Sequence, residues 1–483
     1  MEKPATYINP QYKAKRASFS LRSVPSLIWL MFLVIGLAIV GEMGAMLAWG
    51  IIAIWVLKGV DEAIEGLLLA LLLVFLNPEL NNSGDIASVA RWGIIAEATL
   101  RIAFAWWKTP QKWPSWSKFL ILFIIYTTFT SFVVSWWPIA SLTKLVTFSV
   151  VVLMTYFGIK LSKKDWQQNL IIFGVVITLL SLPLIALPLG YVRNGHQFQG
   201  ILNHPQSYGV ILSILMAVAI GRWLLTPGKK ASLWQFILLI LMGTTVILSG
   251  ARTGYFALIL AVFSTLLFAR SSRGIFKRLL FNPFTYFLLA ITIAYVGMTQ
   301  PIEQFKQLIF ERDVSDYAYY DVSIDTNPST LSYLLASRSG LIARSWGNFL
   351  KNPWFGAGFG LPSIRIARDT VATLAGIPVS IPYEKGFTGT AVLEEVGIIG
   401  ALLILGLLIS QFRVIHKSQA ISAMLIFLTA IFVNMGESVY FATGGIGLLV
   451  HIAIAVALVT AERRTTAIEA QTTAAMTADR KRR

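Results

Sequence analysis

Long apolar stretches separated by short polar segments run through most of the 483-residue chain. Several of these stretches reach the roughly 20 residues that a helix needs to cross the hydrocarbon core of a bilayer. The pattern therefore predicts an all-α fold, a polytopic transmembrane helical bundle of about 12–14 spans. Residues 25–57 form one stretch that Gly41 and Gly44 divide in two. The other predicted spans are residues 63–76, 86–107, 119–136, 139–159, 170–189, 208–225, 233–248, 255–268, 281–296, 388–409, 420–433 and 445–459.

Lysine and arginine cluster in alternate loops between the predicted spans, around residues 108–118, 160–164, 229–230, 270–278 and 413–417. The positive-inside rule places these loops and both termini in the cytoplasm. The chain then divides into a basic cytoplasmic tail (1–24), an N-terminal bundle (25–299), a large periplasmic loop (300–387), C-terminal transmembrane helices (388–460) and a disordered cytoplasmic tail (461–483).

The composition excludes several classes of function. The chain is 56% hydrophobic and only 13% charged, far from the composition of a soluble globular protein. The net charge of +17 is explained by the cytoplasmic loops, so no nucleic acid is expected as a partner, while membrane lipids are. With no cysteine and four scattered histidines, thiolate chemistry and a metal site are not expected, and no cofactor is predicted.

A short turn between two apolar stretches carries the sharpest candidate residue, Arg252, flanked by Gly250 and Gly254. A guanidinium at membrane depth is costly unless it is compensated, and glycines let a ligand approach the backbone closely. The planar donor fork of arginine suits a phosphate or a diphosphate. The alternative is a snorkelling anchor at the membrane interface.

Within the long loop, Leu331, Leu335, Ile342 and Trp346 recur at helical spacing. This spacing predicts an amphipathic helix that ends before Pro353 and lies on the membrane or caps the bundle. Arg338 and Arg344 lie on this helix, either as ligand-binding residues or on a solvated face.

Five motifs then follow one another in a characteristic order: Asn203-His204-Pro205-Gln206, the Arg252 turn, Ser337-Arg338-Ser339-Gly340, the segment 352–360 (NPWFGAGFG) and Glu395-Val396-Gly397-Ile398-Ile399-Gly400. In order, spacing and predicted sidedness they resemble the O-antigen ligase and O-antigen polymerase superfamily of bacterial inner membranes. The resemblance covers roughly residues 200–444, and no one motif is specific alone.

The resemblance implies a glycosyltransferase that moves a glycan from a polyprenyl diphosphate carrier to a hydroxyl of a glycan or lipid A-core acceptor, on the periplasmic side and without a metal. By motif match, Arg252 and Arg338 hold the diphosphate, and Arg344 and Arg193 are further candidates. The supporting residues are Glu437, Asn203 and Gly254.

The general base is less clear from the resemblance. Ligases carry a histidine shortly before the Glu-x-Gly-x-x-Gly motif, and the matching position here is Gly386. Glu384, Glu395 and His204 are the candidate bases, with Glu394 as a further carboxylate. The absent histidine favours a polymerase-type member over a ligase.

Two other functions remain open from the sequence. A many-span bundle with basic cavities also fits a transporter of a small anion such as bicarbonate. A non-catalytic scaffold for lipid-linked glycan would need the same diphosphate-binding arginines and no base.

Overall fold

The computed structural model describes residues 26–81, 86–192, 197–224, 232–269, 330–364, 372–374, 377–380 and 385–482. Over these residues the chain is a helical bundle with one two-stranded ribbon. The helices are α1 (Ser26–Val40), α2 (Glu42–Leu57), α3 (Val60–Val74), α4 (Ile86–Lys108), α5 (Ser117–Val133), α6 (Pro138–Leu161), α7 (Trp166–Ser181), α8 (Pro205–Trp223), α9 (Leu233–Leu248), α10 (Arg252–Phe268), α11 (Thr330–Lys351), α12 (Thr388–Ser418), α13 (Ile421–Phe432) and α14 (Ile446–Arg482). The antiparallel strands are β1 (Ala372–Leu374) and β2 (Ile377–Ser380).

The all-α, polytopic class predicted from the sequence is confirmed. A helix covers each predicted span except residues 281–296, which lie outside the described residues. The predicted division near Gly41 is also confirmed, since α1 and α2 meet there and Gly41 has a φ of 131°. Among the described helices, five are long and apolar enough to cross a membrane: Pro138–Leu161, Trp166–Ala186, Pro205–Trp223, Thr388–Ser418 and Ile446–Thr477.

The centre of the bundle consists of helices that are buried on all sides. Helices α3, α8, α13 and the first half of α14 contribute an almost continuous set of buried apolar residues. Outer helices such as α1 and α5 expose large apolar side chains instead, including Trp29, Phe32, Ile125 and Phe132. An apolar core inside an apolar outer surface is what a bilayer requires, so the chain is a membrane protein.

Ion pairs join several helix ends on one side of the bundle. Lys160 at the end of α6 lies 3.1 Å from Glu462, Lys164 lies 2.7 Å from Glu65, and Arg222 at the end of α8 lies 2.7 Å from Asp165. Lys160 and Lys164 belong to the basic loop 160–164 that the sequence predicts on one face, and Arg222 lies beside that loop through Asp165. The opposite side, where α8, α10 and α12 begin and α13 ends, is called the Arg252 end below.

Helix α12 is broken at Gly397, one turn after Glu394. Gly397 has a φ of 64° and a ψ of −171°, which a residue with a side chain rarely adopts. The break frees main-chain groups from the usual helical hydrogen bonds, and such groups are costly when they are left unpaired at membrane depth.

The glycine-rich segment 352–360 supplies the missing hydrogen bonds. The amides of Ala357 and Gly358 donate to the carbonyls of Glu394 and Glu395 at 2.7 and 3.0 Å, and the amide of Ile398 donates to the carbonyl of Pro353 at 2.8 Å. The hydroxyl of Tyr126 on α5 donates to the carbonyl of Val396 at 2.9 Å. The segment 352–360 and the motif Glu395–Gly400 therefore bind each other through main-chain hydrogen bonds.

The predicted amphipathic helix is present as α11 and ends at Lys351, two residues before Pro353. The C-terminus differs from the prediction of a disordered tail, because α14 continues to Arg482. Residues 466–477 are exposed, but the tail is rich in alanine and arginine, which have high helix propensity. The ribbon was not predicted, because its strands are only three and four residues long and the Ala-Gly pair between them is not one of the strong hairpin signals.

We predict that Gly397→Ala lowers the melting temperature of the protein in detergent. A left-handed alanine costs roughly 1–2 kcal/mol, and the new Cβ would also overlap the carbonyl of Trp354 and lie 2.6 Å from the amide nitrogen of Phe355. Gly50→Ala is the matched control, since a Cβ there meets nothing within 4 Å in a helix. An unchanged melting temperature for Gly397→Ala would contradict this account of the break.

Candidate active site

Four polar segments that are distant in the sequence meet at the Arg252 end. A Cβ placed on Gly254 would lie 2.6 Å from the carbonyl oxygen of Gly209, in the second turn of α8. Gly436, in the turn after α13, lies directly against the Thr253 side chain. The hydroxyl of Thr388 lies 3.3 Å from Ser438 Oγ in the same turn. The starts of α8, α10 and α12 are thus held around the turn that follows α13.

Arg252 is the first residue of α10 and is half-buried. The preceding turn is tight, since Gly250 has a φ of 64° and the Gly254 amide donates to the carbonyl of Ala251 at 3.0 Å. The guanidinium interacts electrostatically with Tyr255. A cation at the positive end of a helix is not stabilised by the helix dipole. Both the guanidinium and the helix end therefore favour an anion at this point.

Asn203 and His204 precede the first turn of α8. The Asn203 amide donates to the carbonyl of Phe75 at 2.7 Å, which ties this loop to the end of α3. His204 caps α8, with its Nδ1 accepting a hydrogen bond from the amide of Gln206 at 3.2 Å, and its side chain is exposed. The imidazole is therefore oriented by the helix start and accessible at the Arg252 end.

A buried ionic cluster lies where the long loop meets α12. The ammonium of Lys385 is 3.0 Å from Glu394 Oε2 and 2.9 Å from Glu395 Oε1. All three residues are at most 2% exposed. Buried charges are tolerated when they are paired and their remaining hydrogen-bonding capacity is satisfied.

The remaining oxygens of the two carboxylates are bound by the loop and by α11. Asn348 Nδ2 donates to Glu394 Oε1 at 2.8 Å, and Ser363 Oγ donates to Glu394 Oε2 at 2.9 Å. The Gly360 amide donates to Glu395 Oε2 at 2.6 Å. The cluster therefore fastens α11, the glycine-rich segment and α12 to one another beside the helix break.

The residues predicted for the site fall into three groups. Arg252, Gly254, Asn203, His204, Glu395 and Glu437 all lie at the Arg252 end, with Glu437 half-buried next to Gly436. Arg344 lies exposed on α11, and Arg338 lies on the same helix. Arg193 and Glu384 lie outside the described residues.

Lys385 and Asn348 are the site residues that the sequence did not single out. The signal for Lys385 was its position beside Gly386, where the resemblance expects a histidine. Asn348 is one of several polar residues on an amphipathic helix, and nothing in its spacing separates it from a solvated residue. Both are partners of Glu394 only because the loop folds back onto α12.

Together these features define a polytopic helical membrane protein with a broken helix, a glycine-rich segment that closes the break, and an arginine-bearing polar site at one end. A family model described as O-antigen ligase matches residues 237–405. Over these residues the match confirms the resemblance to the O-antigen ligase superfamily that was seen in the sequence. No curated protein matches the chain.

The matched region covers one part of the candidate site. Arg252, Arg338 and Glu395 fall within it, together with the whole ionic cluster. His204 and Glu437 lie outside it, on the two sides of the match. The contacts of Gly254 with Gly209, and of Thr253 with Gly436, connect the matched region to these outer segments.

We predict that Lys385→Met strongly destabilises the protein. The substitution leaves two buried carboxylates without their cation, and removing one partner of a buried ion pair costs roughly 3–5 kcal/mol. The measurement is thermal unfolding of the purified protein in detergent. Lys351→Met is the matched control, because that exposed lysine on α11 makes a long hydrogen bond of 3.3 Å to Asn348 and no ion pair with any described residue. Equal melting temperatures for the two variants would show that the cluster is not a stabilising unit.

Proposed function

We propose that this protein transfers or polymerises a glycan carried on a polyprenyl diphosphate, on the periplasmic side of the bacterial inner membrane. One observation carries the proposal. Arg252, at the start of α10, lies at the same end of the membrane bundle as the loop and turn segments that contain the motifs of the O-antigen ligase superfamily. The predicted topology, with both termini cytoplasmic, puts this end in the periplasm.

Arg252 would bind the diphosphate of the donor. The leaving group carries two or three negative charges, and charge grows on it as the glycosidic bond breaks. A guanidinium and the amides of a helix start are suited to stabilise that charge. Arg338 and Arg344 on α11, and Arg193 before the Asn203 segment, are the further arginines proposed to contact the donor.

Glu437, Asn203 and Gly254 would support Arg252 rather than react. Gly254 permits the close approach of α10 to α8, since any side chain there would meet the backbone of Gly209. Glu437 lies in the turn that packs against Thr253, and Thr253 directly follows Arg252 in the sequence. A carboxylate in this place would orient the guanidinium toward the donor.

His204 is the base that the contacts favour among the three candidates. It is exposed at the Arg252 end, so an acceptor hydroxyl can reach it, and its Nδ1 would release the amide of Gln206 to take up the proton, because a neutral imidazole in this cap carries its hydrogen on Nε2. Glu395 is 1% exposed, and both of its oxygens contact other groups, so it would have to leave the cluster to accept a proton. Glu384 remains a candidate on its sequence position alone.

We predict that Arg252→Ala lowers the rate of glycan transfer at least about 100-fold, because the loss of one group that stabilises charge in the transition state has an effect of this size. The measurement is transfer from a polyprenyl diphosphate–linked glycan by the purified protein in lipid vesicles. Arg413→Ala, an exposed arginine in the last turns of α12, is the control and should keep full activity. Full activity of Arg252→Ala would refute the proposal. Retained donor binding without transfer by the wild type would instead favour a non-catalytic scaffold.

We predict that the transfer rate of the wild type rises with pH on the acid side of its profile, because neutral imidazole is the form that accepts a proton. His204→Gln should remove this limb of the pH profile and lower the rate, while keeping donor binding. A pH profile that is the same in His204→Gln and in the wild type would exclude this residue and return the assignment to a carboxylate.

A further inference from the structure

Three cations of the N-terminal helices lie together on the side of the bundle that carries the ion pairs. Lys58 is in the turn between α2 and α3, and Arg101 and Lys108 are on the second half of α4. Lys58 and Lys108 are exposed, and Arg101 is half-buried. The turn belongs to this side because Glu65, in the second turn of α3, contacts Lys164 at 2.7 Å. The positive-inside rule predicts that this side faces the cytoplasm.

The three cations are neighbours on one face of the structure. The Arg101 Nη2 donates to the carbonyl of Lys58 at 3.1 Å, which joins α4 to the turn between α2 and α3. Lys108 follows Arg101 by two helical turns, and residues at this spacing share one face of a helix. The Lys108 side chain turns back along that face, since its ammonium lies 4.4 Å from the centre of the Phe104 ring, one turn after Arg101.

No carboxylate of the described residues forms an ion pair with any of the three cations. The Lys58 ammonium lies 4.0 Å from the centre of the Trp55 ring, and the Lys108 ammonium lies over Phe104. An aromatic face attracts a cation but leaves the three ammonium hydrogens able to bind an acceptor. The guanidinium of Arg101 has five donors, and its bond to the Lys58 carbonyl leaves others for a ligand.

Two carboxylates near this face are directed elsewhere or unpaired. Glu62, in the first turn of α3, lies against Gly59 and faces Lys164 at 3.8 Å. Glu97 precedes Arg101 by one turn of α4 and forms no ion pair with it or with another described residue. The positive charge of the three cations is therefore available to an anionic ligand.

The surface around the cations is apolar and exposed. Leu57 precedes Lys58, and Leu100, Phe104 and Trp107 on α4 are exposed as well. Large apolar side chains on the outside of a membrane bundle face the acyl chains of lipids, and exposed tryptophans concentrate at the level of the headgroups. Apolar side chains next to cations thus match the two parts of a phospholipid, its acyl chains and its phosphate.

We propose that Lys58, Arg101 and Lys108 bind the phosphate of an anionic phospholipid of the cytoplasmic leaflet, with an acyl chain along Leu100 and Phe104. A lipid with a choline headgroup fits less well, because its own cation meets the three positive charges. The bound lipid joins α2, α3 and α4 at the membrane surface. The site is distant from the Arg252 end, and the inference does not depend on the proposed function.

The test uses the full-length protein in detergent micelles, with dioleoylphosphatidylglycerol as the anionic lipid and dioleoylphosphatidylcholine as the zwitterionic one. Native mass spectrometry gives the dissociation constant of each lipid at constant ionic strength. We expect phosphatidylglycerol to bind more tightly than phosphatidylcholine. The double variant Lys58→Met/Lys108→Met should weaken the binding of phosphatidylglycerol about fivefold for each lysine removed. Arg101→Gln, which can still donate to the Lys58 carbonyl, should weaken it by a similar factor.

Lys118→Met is the matched control, because that exposed lysine also lies over a ring, 5.7 Å from the centre of Phe119, but on α5. It should leave the preference for phosphatidylglycerol unchanged. Melting temperatures without added lipid identify a variant that fails to fold. If Arg101→Gln fails in this way, the double variant decides the question, since both of its lysines are exposed.

Three results would overturn the inference. The first is that phosphatidylglycerol binds no more tightly than phosphatidylcholine. The second is that Lys118→Met weakens its binding as much as the double variant does, because the preference then reflects only the overall surface charge. The third is that inorganic phosphate binds as tightly as phosphatidylglycerol, because the site then takes a free anion and the apolar surface has no part in binding.

Discussion

The break of α12 at Gly397 is the feature on which the rest of the site depends. A helix interrupted inside a membrane bundle must find other partners for its main-chain groups. Here the partners are the amides of Ala357 and Gly358, the carbonyl of Pro353 and the hydroxyl of Tyr126. The segment 352–360 is therefore held against the bundle by hydrogen bonds to its backbone, and its glycines and Gly397 allow the two stretches of main chain to approach closely.

The ionic cluster adds side-chain specificity to this backbone contact. Lys385 neutralises Glu394 and Glu395, while Asn348, Ser363 and Gly360 satisfy the other oxygens. Lys385 stands next to the position at which the family resemblance expects a histidine. At this place the chain thus has a buried counter-ion that organises the loop. That arrangement is consistent with a base that lies elsewhere, such as the exposed His204.

Much of the architecture could be predicted because its causes are local. Runs of apolar residues predicted the helices, Gly41 the division between α1 and α2, and helical spacing the amphipathic α11. The Arg252 turn was visible from its flanking glycines. The C-terminal tail is helical where disorder was predicted, because its alanines and arginines have high helix propensity. The Lys385 cluster could not be predicted, because its members come from three segments whose approach depends on the folded loop.

The sequence by itself determined a membrane-spanning helical bundle and a resemblance to the O-antigen ligase superfamily, because hydropathy and motif order are properties of the linear chain. Only the tertiary structure decided how the described parts of the large loop (300–387) contact the bundle. It showed that the glycine-rich segment supplies hydrogen bonds to a broken helix and that Glu394 and Glu395 are paired with Lys385. The physical reason is that hydrogen bonds and ion pairs between distant segments depend on positions in space, which spacing along the chain does not encode.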